Sequence, residues 1–318
     1  MTTRKQHYVW KKYLEPWTVK KKKSRQLWCL RRDSHSPIFV DTKNVAAERD
    51  FYRVTNLTQA DQKAIRALAF SDKTNPQMRS LNEGWISQFE TFFAVEKLAR
   101  SMLRDAPALL DKLDTEMIEF QELAYSRMES SAVAHLESLQ AGHVGFFDDE
   151  HQAIEFSYFL AHQYFRTKAM RDRMRAPLQA AVDKECFDRI WPILRNIYAT
   201  SVGFSIFANR KSMKLQVLHA APNMEFITGD QPAVNTYGAF VAPNSPMDDF
   251  ELFYPMSPTR AAIISGHSVY REIHGRTIEP IRMHLLNQSI ERIAHEQLFS
   301  KSEQSLKTTA LTFCKRNW

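Results

Sequence analysis

Gln163 and Arg166 lie three residues apart in HQYFRTKAMR, a strongly apolar segment, so a helix there turns both onto one face. A guanidinium beside a carboxamide offers the donors of a clamp for a phosphate or another anion. Burying the pair is costly unless its donors meet a ligand, a carboxylate or backbone carbonyls, and a structural ion pair with Asp230 is the competing reading. A second pattern, Asp33, the strand-like PIFV and Asp41-Thr42-Lys43, imitates a metal-dependent nuclease, in which two carboxylates hold Mg²⁺ and a lysine stabilises the phosphorane. Its plain alternative is a hairpin strand with polar flanks. A third, His143 with Asp148, Asp149, Glu150 and His151, offers divalent-ion ligands, but the acids stand where they cap the helix that follows. No metal ligands are assigned on these grounds, and no cofactor is readable.

Charge adds a fourth feature. Residues 1–32 hold eleven Lys/Arg against the single acid Glu15, whereas the remaining chain has 32 basic and 35 acidic residues. The whole excess behind the net charge of +7 therefore sits at one end. Lys20, Lys21, Lys22 and Lys23 are its densest part, and such a block attracts polyanions by counterion release and long-range steering. A solvated surface run is the alternative. Walker and Rossmann glycine loops, Gly-x-Ser-x-Gly and His-Glu-x-x-His are all missing, which sets aside P-loop NTPases, common dehydrogenases, α/β-hydrolases and zincins. Cys29, Cys186 and Cys314 lie far apart without zinc-ligand spacing and read as reduced structural thiols. The charged start MTTRKQHYVWKK and the lack of a long apolar run point to a cytoplasmic protein with no membrane partner.

The elements that must position these groups follow from periodicity. VKKKKSRQ reads as a turn or loop, and QLWCLRR and SPIFVDTKN read as strands, so residues 1–57 are expected to form a β-hairpin bearing the basic loop. Thr58 with Asp61 opens a helical region. Apolar residues at steps of three and four, as in Trp85, Phe89, Phe92, Phe93 and Leu103, then make residues 58–210 a helical bundle. Within residues 211–318, KLQVLHA, MEFITGDQPAV and FELFYPMSPTRAAIISG are strand-like. A last helix is expected from Thr277 to Lys301, with Ile281, Leu285, Ile290, Ile293 and Leu298 on one stripe. The order short β, long α, β, α gives an α+β fold: a large central helical bundle, an N-terminal hairpin, and a small C-terminal antiparallel sheet with a final helix.

Several ordered segments carry a resemblance. His7-Tyr8-Val9, Tyr13-Leu14, Lys43-Asn44 with Glu48 to Tyr52, Gln163 with Arg166-Thr167, Thr228 to Pro232, Pro255-Met256-Ser257-Pro258 and Asn287 run through nearly the whole chain. Together they are similar to a bacterial family catalogued as a domain of unknown function, numbered four-two-three-eight. Trp10 stands where the family's N-terminal motif has proline. The resemblance implies an α+β fold and no agreed activity, so function rests on the chemistry of the matching residues.

If the two ends close over the bundle, His7, Gln163, Arg166, Asp230 and Asn287 converge. Arg166 then clamps an anion, His7 acts as acid/base, Asp230 orients one of them, and Gln163 and Asn287 position the ligand. The leading expectation is a phosphate-directed hydrolase, either nuclease or nucleotide hydrolase, acting as an effector or toxin in bacterial (phage) defence. The alternative is a non-enzymatic module that binds nucleic acid through Lys20 to Lys23 and the nearby tryptophans, or that binds a protein. Substrate and oligomeric state are not legible.

Overall fold

The structure, a computed structural model, describes residues 4–21, 24–71, 74, 76–241 and 249–314. The chain begins with β1 (Lys5–His7), α1 (Lys11–Leu14), β2 (Val19–Lys21), β3 (Ser24–Arg31), β4 (Ile38–Asp41) and β5 (Ala47–Arg49). Helices α2 (Gln59–Ala69), α3 (Pro76–Met102), α4 (Pro107–Gln140), α5 (Glu150–Phe165), α6 (Lys168–Leu178) and α7 (Lys184–Ala208) follow. Next come β6 (Lys214–His219), β7 (Thr228–Gly229), β8 (Val234–Asn235), β9 (Leu252–Ser257) and β10 (Arg260–Ser265). The last elements are α8 (Ser268–Glu272), α9 (Pro280–Ile293), β11 (Gln297–Ser300), α10 (Glu303–Lys307) and α11 (Ala310–Cys314). This is an α+β fold, and no helix among the described residues is long and apolar enough to cross a membrane.

Local chemistry sets the helix starts. Thr58 and Asp61 form a reciprocal capping box on α2. Asp149 caps α5 by accepting from Gln152 N at 2.9 Å, so the acids of the 143–151 segment serve a helix terminus. Asp41 likewise accepts from Lys43 N at 2.9 Å to cap a single 3₁₀ turn, the use the fold makes of the nuclease-like Asp-x-Lys. Helix α5 packs closely on α7, where Gly203 has the Cα of Tyr158 and the carbonyl of Ser157 against it, and buried Phe187, Ile190, Trp191, Ile193 and Ile197 fill the helical core.

The sheets differ from expectation in two places. Strand β3 is a hub: Gln26 to Cys29 pair with β4, Ser24 to Gln26 with β2, and Trp28 to Arg31 with β11. Most of VKKKKSRQ is therefore strand rather than loop, with Lys20 and Lys21 in β2. The helix expected from Thr277 to Lys301 ends at Ile293, and residues 297–300 are β11. Ile281 and Leu285, placed on its core stripe, are 64% and 48% exposed, while Met283, Leu286, Ile290 and Ile293 face inward. The reason is competition: residues 297–300 gain strand partners on both sides, β3 and β7, which outweighs continuing a helix.

That pairing joins the first and last parts of the chain. Trp17 Nε1 donates to the Phe226 carbonyl at 2.8 Å, and Tyr13 bonds Thr228 through their hydroxyls at 2.7 Å, both fully inside. At Gly229 a Cβ would meet the Gln297 carbonyl oxygen at 2.9 Å and the Ala294 Cβ at 3.0 Å. Gly229→Ala is expected to cost about 1–3 kcal/mol through this overpacking. Urea unfolding checks it; an unchanged midpoint refutes the tight β7–β11 approach.

Candidate functional site

The last turn of α5 brings Gln163 and Arg166 together as their spacing requires, both almost wholly buried. Arg166 Nη2 donates to Glu129 Oε1 of α4 at 2.5 Å and to Gln163 Oε1 at 3.0 Å, with the guanidinium 5.4 Å from the Tyr125 ring centre. The ion-pair partner is thus Glu129 and not Asp230. Burial opposes the charge on Arg166, but Glu129 and the neighbouring Tyr52 outweigh it, so the proton is held more tightly than in a free arginine.

Asp230 and Asn287 are committed elsewhere, and Nε2 of the His7 ring is buried without a hydrogen-bond partner among the described residues. His7 ends β1, where its carbonyl accepts from the Tyr52 hydroxyl at 3.0 Å. Burial, then the charges of Lys11 and Lys5, lower its pKa to about 4, so the ring is neutral at pH 7. Asp230 is buried and accepts from the backbone N–H groups of His295 (2.7 Å), Glu296 (2.7 Å) and Gln297 (3.1 Å), fastening β7 to the start of β11. Burial pushes its pKa up. Asn287 accepts from Ile227 N at 3.1 Å and donates to the Glu225 carbonyl at 2.9 Å, a clamp on the 225–227 backbone. Among the described residues, His7, Arg166 and Asp230 share no hydrogen bond or ion pair with one another; Gln163 and Arg166 are the expected residues that meet. Lys20 is exposed on β2, while the side chain of Lys21 and the whole of Lys22 and Lys23 lie outside the described residues.

Asp230, His295 and Glu296 bring possible ligand atoms within 4.8 Å of one another. The three amides already occupy Asp230, and Lys168 bridges Glu296 at 3.0 Å and Glu48 at 3.1 Å. His295 Nε2 lies 3.1 Å from Asp172. Although burial opposes its ionisation, His295 and Arg171 hold the Asp172 carboxyl down to about 2. The cluster is one end of a charged network that leads, through Arg171 and Arg175, to a more open feature.

That feature is a cleft of about 340 Å³ between α6, α7 and the segment after β5. Arg53, Arg171, Arg175, Lys184 and Arg195 line it with one carboxylate, Asp188, and with Phe51, Trp191 and Pro192. Asp188 is taken by Arg175 at 2.6 Å. Arg195 is only 2% exposed, donates to Gln121 through one terminal nitrogen, and lies 5.0 Å from the Tyr52 ring centre and 5.8 Å from that of Phe51. Nε of Arg175, Nε of Arg195 and Nε1 of Trp191 are buried without a hydrogen-bond partner among the described residues. Each is a donor, and buried donors without acceptors are costly. An arrangement of five cations and one engaged carboxylate can receive an anion.

Of this group only Phe51, within Glu48 to Tyr52, and Arg171, at the end of HQYFRTKAMR, fall in segments the sequence singled out, because the residues come from separate parts of the chain. One signal was available: Arg195 is the only charged residue between Ile190 and Ile206, and a lone arginine in an apolar helix must meet a partner inside. No curated protein and no solved structure matches this chain. A family model described as "Protein of unknown function (DUF4238)" matches residues 5–304, from β1 into α10, and the chain belongs to that family.

Proposed function

We propose that this protein binds the phosphate groups of a nucleotide or nucleic-acid ligand in the cleft formed by Arg53, Arg171, Arg175, Lys184 and Arg195. The observation that carries the reading is the convergence of five cationic side chains on a cleft whose one carboxylate is already paired. Phosphate oxygens supply acceptors and charge together, and guanidinium forks match their geometry. The anion clamp assigned to Arg166 on its spacing passes to Arg195 and its neighbours, because Glu129 and Gln163 occupy Arg166. Binding is favoured over hydrolysis: Asp188, the carboxylate nearest to serve as a base, is tied to Arg175. Nuclease or nucleotide hydrolase activity, and a place in defence, would extend this reading if a bound ligand were turned over.

Titration calorimetry with ATP, pyrophosphate and a short RNA tests it. Arg53→Ala/Lys184→Ala, which removes two exposed cations and spares the core, is expected to weaken binding by about tenfold or more, with affinity falling as salt rises. Unchanged affinity in that variant, or no binding of any of the three probes, overturns the proposal. Loss of RNA binding on replacing Lys20 to Lys23 by alanine, with the cleft variant unaffected, would move the interface to the β2–β3 hairpin.

A further inference from the structure

A cavity of about 430 Å³ lies far along the chain from the cationic cleft, between α9 and the α10–α11 segment, and its chemistry is the reverse. On α9 its wall is His284, Asn287, Gln288 and Glu291, at positions i, i+3, i+4 and i+7, so a single helical face supplies it. Glu291 is 6% exposed, and among the described residues it has no hydrogen-bond donor and no cation as partner. The side chain lines the cavity, and a donor or a positive charge can reach its carboxylate from there.

The rest of the wall is rich in acceptors. The hydroxyls of Thr308, Thr309 and Thr312 donate to the carbonyls of Ser305, Leu306 and Thr309 at 3.0, 3.0 and 2.9 Å, which leaves oxygen lone pairs for a ligand. Glu225 accepts from Ser302 N and Oγ through Oε1, both at 3.0 Å, so its other oxygen remains. Asn287 spends its amide on the backbone of residues 225 and 227 and so fixes the floor. Among the described residues, no lysine or arginine lines the cavity.

We infer that this cavity is a binding site for a small organic ammonium ion of the diamine or polyamine class, with Glu291 as the buried counter-charge. Its volume is far larger than a bare metal ion needs, and an ammonium group brings three N–H donors to a wall of acceptors. The protein as a whole is positively charged at +7, so a polyamine has no general electrostatic reason to associate with it and must find a local one. This site is independent of the phosphate reading, because it shares no residue with that cleft.

Calorimetric titration of the full chain with putrescine and spermidine, beside 1,4-butanediol and MgCl₂, tests the inference. One-to-one binding of an amine is expected, with butanediol and Mg²⁺ at least about tenfold weaker, and Glu291→Gln is expected to weaken the amine by about tenfold or more. Thr308→Val, at an exposed position, reduces amine affinity without endangering the fold if the wall contributes acceptors. Absence of amine binding, equal binding of butanediol, tighter binding of Mg²⁺, or a Glu291→Gln protein that is folded and binds as well as wild type each overturns the inference. If Glu291→Gln does not fold, unchanged affinity in Thr308→Val overturns it.

Discussion

Glu129→Ala is expected to lower folding stability by about 3–5 kcal/mol, because it leaves the Arg166 guanidinium buried with only the Gln163 amide against it. The side chain of Arg166 is 1% exposed and that of Glu129 14%, so water cannot replace the carboxylate without opening the junction of α4 and α5. Removing both charges together, as in Glu129→Leu/Arg166→Met, is expected to recover most of the loss, since the cost lies in the unpaired charge rather than in the absence of the pair. Urea unfolding of the three proteins measures it. A Glu129→Ala protein as stable as wild type would mean that Arg166 finds another acceptor, and would return it to consideration as a ligand clamp.

Acidification from pH 7 to pH 5 should destabilise the protein through two buried histidines. Burial and the neighbouring lysines lower His7 to about 4, and burial with Arg166 and Arg195 lowers His162 to about 3, against 6.5 for a free histidine. Between those values and pH 6.5 the unfolded chain takes up protons that the folded protein refuses, so stability rises with pH across that window and is complete above it. Each ring contributes about 2 kcal/mol between pH 5 and pH 7, and the two together about 4 kcal/mol. His162→Phe keeps the aromatic contact with Tyr125, whose ring centre lies 5.7 Å away, and should remove about half of the slope. Urea midpoints that do not change from pH 7 to pH 5 would show that both rings bind protons as readily folded as unfolded.

The Glu129 effect and the His162 share of the pH effect meet in one place. Arg166, Arg195 and His162 occupy one buried layer with Tyr52 and Tyr125, and Tyr125 donates to Asn196 at 3.0 Å. Burial, and after it the two guanidiniums in that layer, suppress the protonation of the histidine beside them. Arg195 also reaches the cationic cleft, so a ligand that neutralises the cleft is connected to this layer through one side chain.

How much of this was legible depends on whether the information is local. The capping box of Thr58 and Asp61, the Asp149 cap and the apolar spacing of α3, α5 and α7 are written within a few residues of the structure they specify, because helix hydrogen bonds span four residues. The joint burial of Gln163 and Arg166 was readable for the same reason. Strand β11 was not: QLFS is four residues long, and pairs with Trp28 to Arg31 at the other end of the chain. The partner of Arg166 was equally hidden, since Glu129 is one of many acids on a long exposed helix and only the packing of α4 against α5 selects it. Sequence alone determined where α2 and α5 begin, that the middle of the chain is helical and that the positive charge is concentrated at one end, but not the bounds or the buried face of α9. Tertiary structure decided which charges meet, placing Arg53, Arg171, Arg175, Lys184 and Arg195 around one cleft and Glu291 in another. Helical periodicity is a property of neighbouring residues, whereas the meeting of side chains from distant segments depends on how whole elements pack.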